Sequence, residues 1–394
     1  MTPSRSDTRS PEMQLLAHCA RMRMGPGIQK QIRDLAATPL DWDLFLTAAS
    51  EHSVIPLVER QLRAVAPDVI PPVAMDRLKS AARASTVRCL VLSAELVKVL
   101  GAFRSDGIWA VPYKGPVLAV QAYGDVALRE FGDLDIILPQ AEMPRAHAIV
   151  LGLGYRAKFP PVFDPRATVP LVPGEYNYID EARRLLVELH TELTLRHFPV
   201  KPDLSGLAKR LVPIELAGQQ IQTFSVEDSL PILCIHGSKD FWERLLWIAD
   251  ISELIQCYPG LNWDRVLQNT EALRAERMLY LGLALAEALW ELPLPREVLD
   301  RVHQDSVAAT LALEIQRRLL GRESSSLGAG GRFRFRRLML PNIFAGWGYS
   351  MRLAFAPAEE DWQGVRLPRS LASLYFVLRP LRLLRKYGWT GRRA

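Results

Sequence analysis

The chain has 394 residues, of which 49% are hydrophobic and 23% charged, a composition typical of soluble globular proteins long enough for two or three structural units. Its first residues are polar and lack the apolar core of a secretory signal. The longest apolar stretch, residues 339–356, is interrupted by Pro341, Asn342, Ser350 and Arg352, which argues against a transmembrane segment. We therefore expect a cytoplasmic protein that does not span a membrane.

The charge is unevenly distributed along the chain. From Gly331 to the C-terminus there are 13 arginines and lysines but three acidic residues, so this tail carries a net charge of +10 and the rest of the chain −4. A basic tail can bind an anionic partner, although a solvated basic surface is the simpler interpretation. The four cysteines are scattered among apolar neighbours without zinc-binding spacing, which indicates buried free thiols.

Helical spacing dominates both ends of the chain, and strand-like runs lie between them. Up to residue 107 apolar residues recur three and four positions apart, and Asp41 stands where it would cap a helix. Short apolar runs then predict strands at 108–113, 134–138, 155–159, 175–180 and 185–192, with helices at 116–123 and 142–151. The helical period returns from residue 226 and covers 263–292, 296–321 and a tail helix over 371–387, which Pro380 is expected to interrupt.

We predict an α+β fold, with a small mixed-sheet core flanked by N-terminal and C-terminal helical regions. The expected division is a disordered leader over 1–12, a helical region over 13–107, the α/β core over 108–195, a helical domain over 196–322, a linker over 323–331 and a basic helical tail over 332–394.

The strongest candidate site lies at the start of the second predicted strand. Asp133 and Asp135 are two residues apart, so in a strand their carboxylates share a face at a spacing of roughly 6.6 Å. Two carboxylates so placed can bind one Mg²⁺, which takes oxygen ligands and keeps positions for water and substrate phosphates. Such a pair is common by chance, however, and can equally be two solvated carboxylates at a strand start.

Two further segments strengthen this interpretation. Lys114 and Gly115 stand between a predicted strand and a predicted helix, where backbone amides and a lysine favour a phosphate. Downstream, Glu188 and His190 alternate with apolar residues on a predicted strand. If that strand lies beside the first, Glu188 becomes a third carboxylate, and three acids can hold two metal ions for an in-line displacement.

This combination of motifs resembles the signature of the uncharacterised bacterial nucleotidyltransferase family of the polymerase-β-like superfamily. The first part of the resemblance is Lys114-Gly115-Pro116-Val117-Leu118-Ala119, Tyr123, Arg129 and Asp133-Leu134-Asp135. The second is Glu188-Leu189-His190, and the third is a helical set formed by His236, Lys239, Trp242, Arg244, Leu246, Trp247 and Asp250. The resemblance covers most of residues 40–260.

The resemblance implies a metal-dependent transfer of a nucleoside monophosphate from an NTP, with Mg²⁺ or Mn²⁺. Asp133, Asp135 and Glu188 would be the metal-binding and catalytic residues, and Lys114 and Gly115 would contact the triphosphate. Superfamily members generally carry Gly-Ser where this chain has Lys-Gly, which leaves open whether the phosphate contact and catalysis are kept.

The roles of the remaining motif residues stay open at this point. Arg129 either binds phosphate or pairs with the aspartates to hold their loop. His190, His236, Lys239 and Asp250 are candidate accessory residues. The helical face of His236 and Lys239 either helps to recognise the acceptor or base or, as we favour, packs the helical domain against the core.

The alternative to an enzyme is a catalytically silent module that binds a nucleotide or a partner with the same fold. The acceptor is expected to be a small molecule, such as a biosynthetic intermediate, or a protein. The part of the chain that bears the site is net acidic, and nucleic-acid binding requires a basic surface. The oligomeric state is left open by the sequence.

Overall fold

The structure is a computed structural model. It describes residues 10–159, 174–193, 200, 203–321, 327–340, 351, 354–355, 361, 365 and 367–387. The chain divides into two compact units. Unit 1 comprises Met1–Lys98, Val111–Leu134 and Leu204–Met339, and unit 2 comprises Val99–Ala110, Asp135–Asp203 and Leu340–Ala394.

Unit 1 is mainly helical. Its N-terminal helices are α1 (Pro11–Cys19), α2 (Pro26–Ala36), α3 (Trp42–Glu51), α4 (Ile55–Val65) and α5 (Pro72–Ser105), the last of which ends in unit 2. Prolines open α1 and α2, where a missing amide costs nothing because the first turn has no acceptor for it. The predicted cap of α3 is confirmed, since the Asp41 carboxylate accepts a hydrogen bond from the Leu44 amide at 3.0 Å.

Short elements then connect to the second helical part of unit 1. They are β1 (Val111–Pro112), α6 (Gly115–Leu118), a π-helical turn (Ala119–Tyr123), a 3-10 turn (Val126–Leu128), α8 (Leu204–Ala208) and the hairpin β6 (Val212–Leu216) and β7 (Gln219–Thr223). The helices that follow are α9 (Val226–Lys239), α10 (Leu245–Cys257), α11 (Trp263–Ala272), α12 (Glu276–Trp290), α13 (Arg296–Gln304), α14 (Ser306–Leu320) and α15 (Ala329–Leu338).

Trp242 is the centre of the packing between α9, α10 and α12. Its side chain is fully buried, and a Cβ added at Gly237 would lie 2.6 Å from its ring carbons. A Cβ at Gly282 on α12 would lie 2.7 Å from the Cys234 sulfur and 3.0 Å from the Trp242 ring. The two glycines therefore provide the space that this indole occupies, as dense core packing requires.

Unit 2 contains a sheet flanked by a helix. In spatial order its strands are β2 (Leu134–Ile137), β5 (Leu185–His190), β4 (Glu175–Asp180) and β3 (Arg156–Ala157), and the first residue of β2 still belongs to unit 1. β4 and β5 are antiparallel, with Asn177 opposite Glu188 and Tyr178 opposite Val187. Among the described residues of unit 2 are also α7 (Met143–Gly152), two short 3-10 segments (Gln140–Glu142 and Arg369–Leu374) and α16 (Tyr375–Tyr387).

The observed elements confirm the α+β class and adjust several predicted boundaries. β4 has its predicted bounds, whereas the strand predicted over 108–113 is reduced to Val111–Pro112. Helix α1 begins at Pro11, within the predicted leader, and α15 begins at Ala329, within the predicted linker. Residues 1–9 of that leader, 322–326 around the start of that linker and the segment 160–173, which the sequence marks as Pro-rich, lie outside the described residues.

The expected break at Pro380 is wrong, because α16 runs through it. The proline lies in the second turn, so the bond it cannot make leaves one carbonyl, that of Phe376, without its helical donor. Within the part of the chain that the structure describes, no helix is long and apolar enough to cross a membrane.

Candidate active site

Three side chains of types that can ligate a metal ion converge on the sheet of unit 2. β2 carries Asp135, and the neighbouring strand β5 carries Glu188 and His190. Glu188 and His190 share a face because they are two residues apart, while the buried Val187 and Leu189 anchor the strand from its other face. The Leu138 amide donates a hydrogen bond of 2.9 Å to the His190 carbonyl, which ties the ends of the two strands together.

The three side chains form a compact and largely buried cluster. The Nε2 atom of His190 lies 3.0 Å from Oδ1 of Asp135 and 3.6 Å from Oε2 of Glu188. One ligand atom from each of the three residues lies within 4.8 Å of the other two. The side chains of Asp135 and His190 are 2% and 5% exposed, and that of Glu188 is 17% exposed. Glu188 therefore faces solvent more than the other two.

The donor set of this cluster suits a divalent cation. Two carboxylates supply the oxygen ligands that Mg²⁺ and Mn²⁺ prefer, and an imidazole nitrogen is a ligand that Mn²⁺ accepts more readily than Mg²⁺. The residues present thus fit a bound metal ion.

The Asp133 carbonyl packs against the backbone of Gly115 in unit 1. Gly115 has a φ of +55°, and a Cβ at this position would lie 3.3 Å from the Asp133 carbonyl oxygen. Glycine is therefore required both by the left-handed backbone and by the close approach of the loop. The adjacent Lys114 has its Nζ atom 5.3 Å from the centroid of the Tyr113 ring.

Arg129 lies in a buried ion pair with Asp250 on α10. Its Nε and Nη2 atoms donate hydrogen bonds of 2.7 and 2.8 Å to the two carboxylate oxygens. The Tyr123 hydroxyl donates a third bond of 3.0 Å to the same carboxylate, and Nη1 of Arg129 donates to the Glu130 carbonyl at 3.4 Å. All three nitrogens of the guanidinium thus have protein acceptors, and the carboxylate that they contact is that of Asp250.

Electrostatics reinforce this pair. Burial on its own lowers the pKa of Arg129, but the Asp250 carboxylate more than compensates, so the pKa of Arg129 is raised above its ordinary value. Burial, followed by the charge of Asp250, holds the pKa of Tyr123 well above its usual range. The arginine is therefore charged and the tyrosine neutral at every physiological pH.

Helix α5 and the start of α4 hold the loop between Arg129 and Asp133. The Arg88 guanidinium donates a bond of 3.0 Å to the Gly132 carbonyl. The Glu130 carboxylate accepts the Ile55 amide at 3.2 Å, and burial raises the pKa of Glu130. The sequence motifs predict a role for neither Arg88 nor Glu130. The only sequence feature that could have pointed to Glu130 is its position between Arg129 and Asp133.

His236 and Lys239 lie on the last turn of α9 in unit 1. The His236 ring packs edge-on against Trp247 at a centroid distance of 5.4 Å, and its Nδ1 atom lies 3.4 Å from the Asp240 carboxylate. These contacts are internal to the helical region. Both interpretations of this face, acceptor recognition and packing against the core, stay predictions.

Comparisons with known proteins bear on the reaction class. Residues 38–291 match the family described as uncharacterised nucleotidyltransferase, a span that contains every motif residue named above. A search of curated proteins gives no match. The solution structure of the antibiotic-resistance factor ANT(2'')-Ia is similar, with a TM-score of 0.34 and 15% identity over 47% of this chain and 91% of that chain, a likeness too weak to decide function. Because the family match spans more than half of its length, the chain belongs to the uncharacterised nucleotidyltransferase family and is a transferase of nucleotidyl groups.

Proposed function

We propose that this protein transfers a nucleoside monophosphate from an NTP to a small-molecule or protein acceptor in a reaction that depends on Mg²⁺ or Mn²⁺. The observation that carries the proposal is the convergence of Asp135, Glu188 and His190 within a chain of this family. Asp133, two residues before Asp135, is the proposed third carboxylate. The part of the chain predicted as the α/β core, residues 108–195, holds all four.

In such a transfer an acceptor oxygen attacks the α-phosphorus, the bond to the pyrophosphate leaving group breaks, and the acceptor loses its proton. A bound metal ion would neutralise charge on the triphosphate. Glu188 is suited to take the proton because its carboxylate is the most exposed of the cluster. Asp135, with His190 at hydrogen-bond distance, is suited to a fixed position as a ligand.

One sequence motif defines the proposed nucleotide contacts. Lys114 and Gly115 match the family's first motif and stay the proposed contacts of the triphosphate. Arg129 is better assigned, with Asp250, to a structural pair, because its guanidinium nitrogens bond to protein acceptors. His190 is assigned to the metal cluster rather than to an accessory role.

The test is transfer of label from each α-³²P NTP with Mg²⁺ or Mn²⁺ across a panel of hydroxyl-bearing small molecules and proteins. We expect metal-dependent labelling that Asp135→Asn and Glu188→Gln abolish. Glu181→Gln, at a carboxylate that is 70% exposed beyond the end of β4, is the matched control and should label like the wild type. Metal-dependent NTP binding without label transfer would support the catalytically silent module, and the absence of both would refute the proposal.

A further inference from the structure

Helix α16 presents an apolar face to solvent. Four of its large apolar side chains are exposed, Phe376 by 41%, Val377 by 57%, Leu381 by 58% and Leu384 by 67%. At 100° per residue these four lie within about 140° of the helix circumference, on one face. Leu371 and Leu374, in the 3-10 turn just before the helix, are 46% and 44% exposed. Soluble proteins rarely expose so continuous an apolar surface unless it binds something.

The opposite face of α16 fixes this orientation. Arg379 is buried and donates a bond of 2.8 Å to the Asp361 carboxylate, and Arg382 pairs with the same carboxylate. The buried Tyr375 hydroxyl donates to the Val365 carbonyl at 2.7 Å and accepts from the Leu367 amide at 2.9 Å. The helix is thus held with these two arginines against Asp361 and with Leu381 and Leu384 exposed.

Charge identifies what this face can bind. From Leu340 to Ala394, the part of unit 2 that contains α16, the sequence has nine basic and three acidic residues. Arg385 is exposed, and it lies about 40° around the helix from Leu381, at the margin of the apolar face. The sequence after the helix adds Trp389, Arg392 and Arg393. An apolar helix face with a basic residue at its margin suits the interface of an anionic bilayer, where acyl chains contact the apolar side chains and headgroups contact the positive charge.

We propose that α16 binds the surface of membranes that contain anionic lipids, lying in the plane of the interface. An anionic bilayer accounts with one partner for both the exposed apolar side chains and the exposed Arg385 beside them, and the test below separates it from a protein interface. This inference stands on the tail alone and is independent of the proposed catalytic function.

The test is sedimentation of the full chain with vesicles of phosphatidylcholine alone or with equal parts of phosphatidylglycerol. We expect binding to the anionic vesicles only, weakened by salt because surface charge is screened. The double variant Leu381→Asp/Leu384→Asp should lose it, whereas Leu313→Asp, at a leucine of α14 that is 52% exposed, should bind like the wild type. Arg385→Gln should weaken binding about fivefold, the effect of one basic residue near such a surface, and Arg296→Gln should not.

Two results would overturn the proposal. One is equal sedimentation of the wild type and the Leu381→Asp/Leu384→Asp variant. The other is the absence of binding to anionic vesicles, and in that case size-exclusion chromatography would show whether the same variant dissociates an oligomer, which assigns the face to a protein interface. Thermal melting checks that each variant is folded, and the changed side chains are exposed enough for folding to be kept.

Discussion

The buried ion pair of Arg129 and Asp250 is expected to stabilise the fold around the loop before Asp133, and its contribution to the free energy of unfolding can be measured. Arg129→Met removes the charge and keeps most of the side-chain volume. The Asp250 carboxylate would then lose both bonds from the guanidinium and keep the one from Tyr123, in a site where the paired side chains are 7% and 2% exposed. Removal of one partner of such a pair costs about 3–5 kcal/mol, because the other charge is left buried without compensation.

The measurement is the free energy of unfolding from urea titration of the wild type, Arg129→Met, Asp250→Leu and the double variant. We expect each single variant to lose about 3–5 kcal/mol, and the double variant to recover much of that loss because no isolated charge is left. Arg145→Met is the matched control, since that arginine forms its 2.9 Å pair with Asp106 when both side chains are 50% exposed. Its loss should stay under about 1 kcal/mol.

Three outcomes would refute this reasoning. If Arg129→Met lost no more than Arg145→Met, the pair would not stabilise the fold. If Arg129→Met kept its stability yet lost NTP binding, Arg129 would contact phosphate, as one of the two sequence interpretations had it. Additive losses in the double variant would show that the two side chains are not coupled.

Three further predictions concern pH, metal binding and backbone strain. Burial, followed by the charge of Arg244, lowers the pKa of His52 in the folded protein to about 4. The unfolded chain therefore takes up a proton on His52 at a higher pH than the folded protein does. The free energy of unfolding should fall by about 3 kcal/mol as the pH drops from 6.5 to 4. Urea titrations at both pH values should show that this loss is smaller in His52→Gln, and an equal loss would contradict it. Mn²⁺ binding, followed by electron paramagnetic resonance, should weaken about 10- to 100-fold in His190→Asn, and unchanged affinity would remove His190 from the metal cluster. Gly115→Ala should lower the free energy of unfolding by about 1–2 kcal/mol, because Gly115 has a left-handed backbone that a side chain strains. Gly27→Ala should lower it far less, because a Cβ at Gly27 meets nothing within 4 Å. Equal losses in the two variants would contradict the strain predicted at position 115.

The tail shows that helical periodicity predicts where a helix lies but not which of its faces is buried. The spacing of apolar residues predicts a helix up to residue 387, and α16 ends there. Which face points inward depends on Asp361, a residue outside the helix that pairs with Arg379 and Arg382. The sequence of the helix alone therefore favours a solvated basic surface, whereas the structure turns the apolar side outward.

The sequence by itself determined the elements of the site and its reaction class. The alternation of apolar residues predicts β4 and β5 closely, because the period of a strand is a local property of the chain, and the spaced motifs identify the family. Lys114, Gly115 and Asp133 can be recognised in the sequence because their identities and spacing match the family's motif.

Only the tertiary structure decided the partners of these residues. His190 meets Asp135 across 55 positions, and Arg129 meets Asp250 across 121. Each pairing forms when segments that are distant in the sequence pack together as the chain folds, so no local sequence pattern predicts it. The physical reason is burial: a charge removed from water must find a partner, and the partner is whichever opposite charge the packing brings within reach.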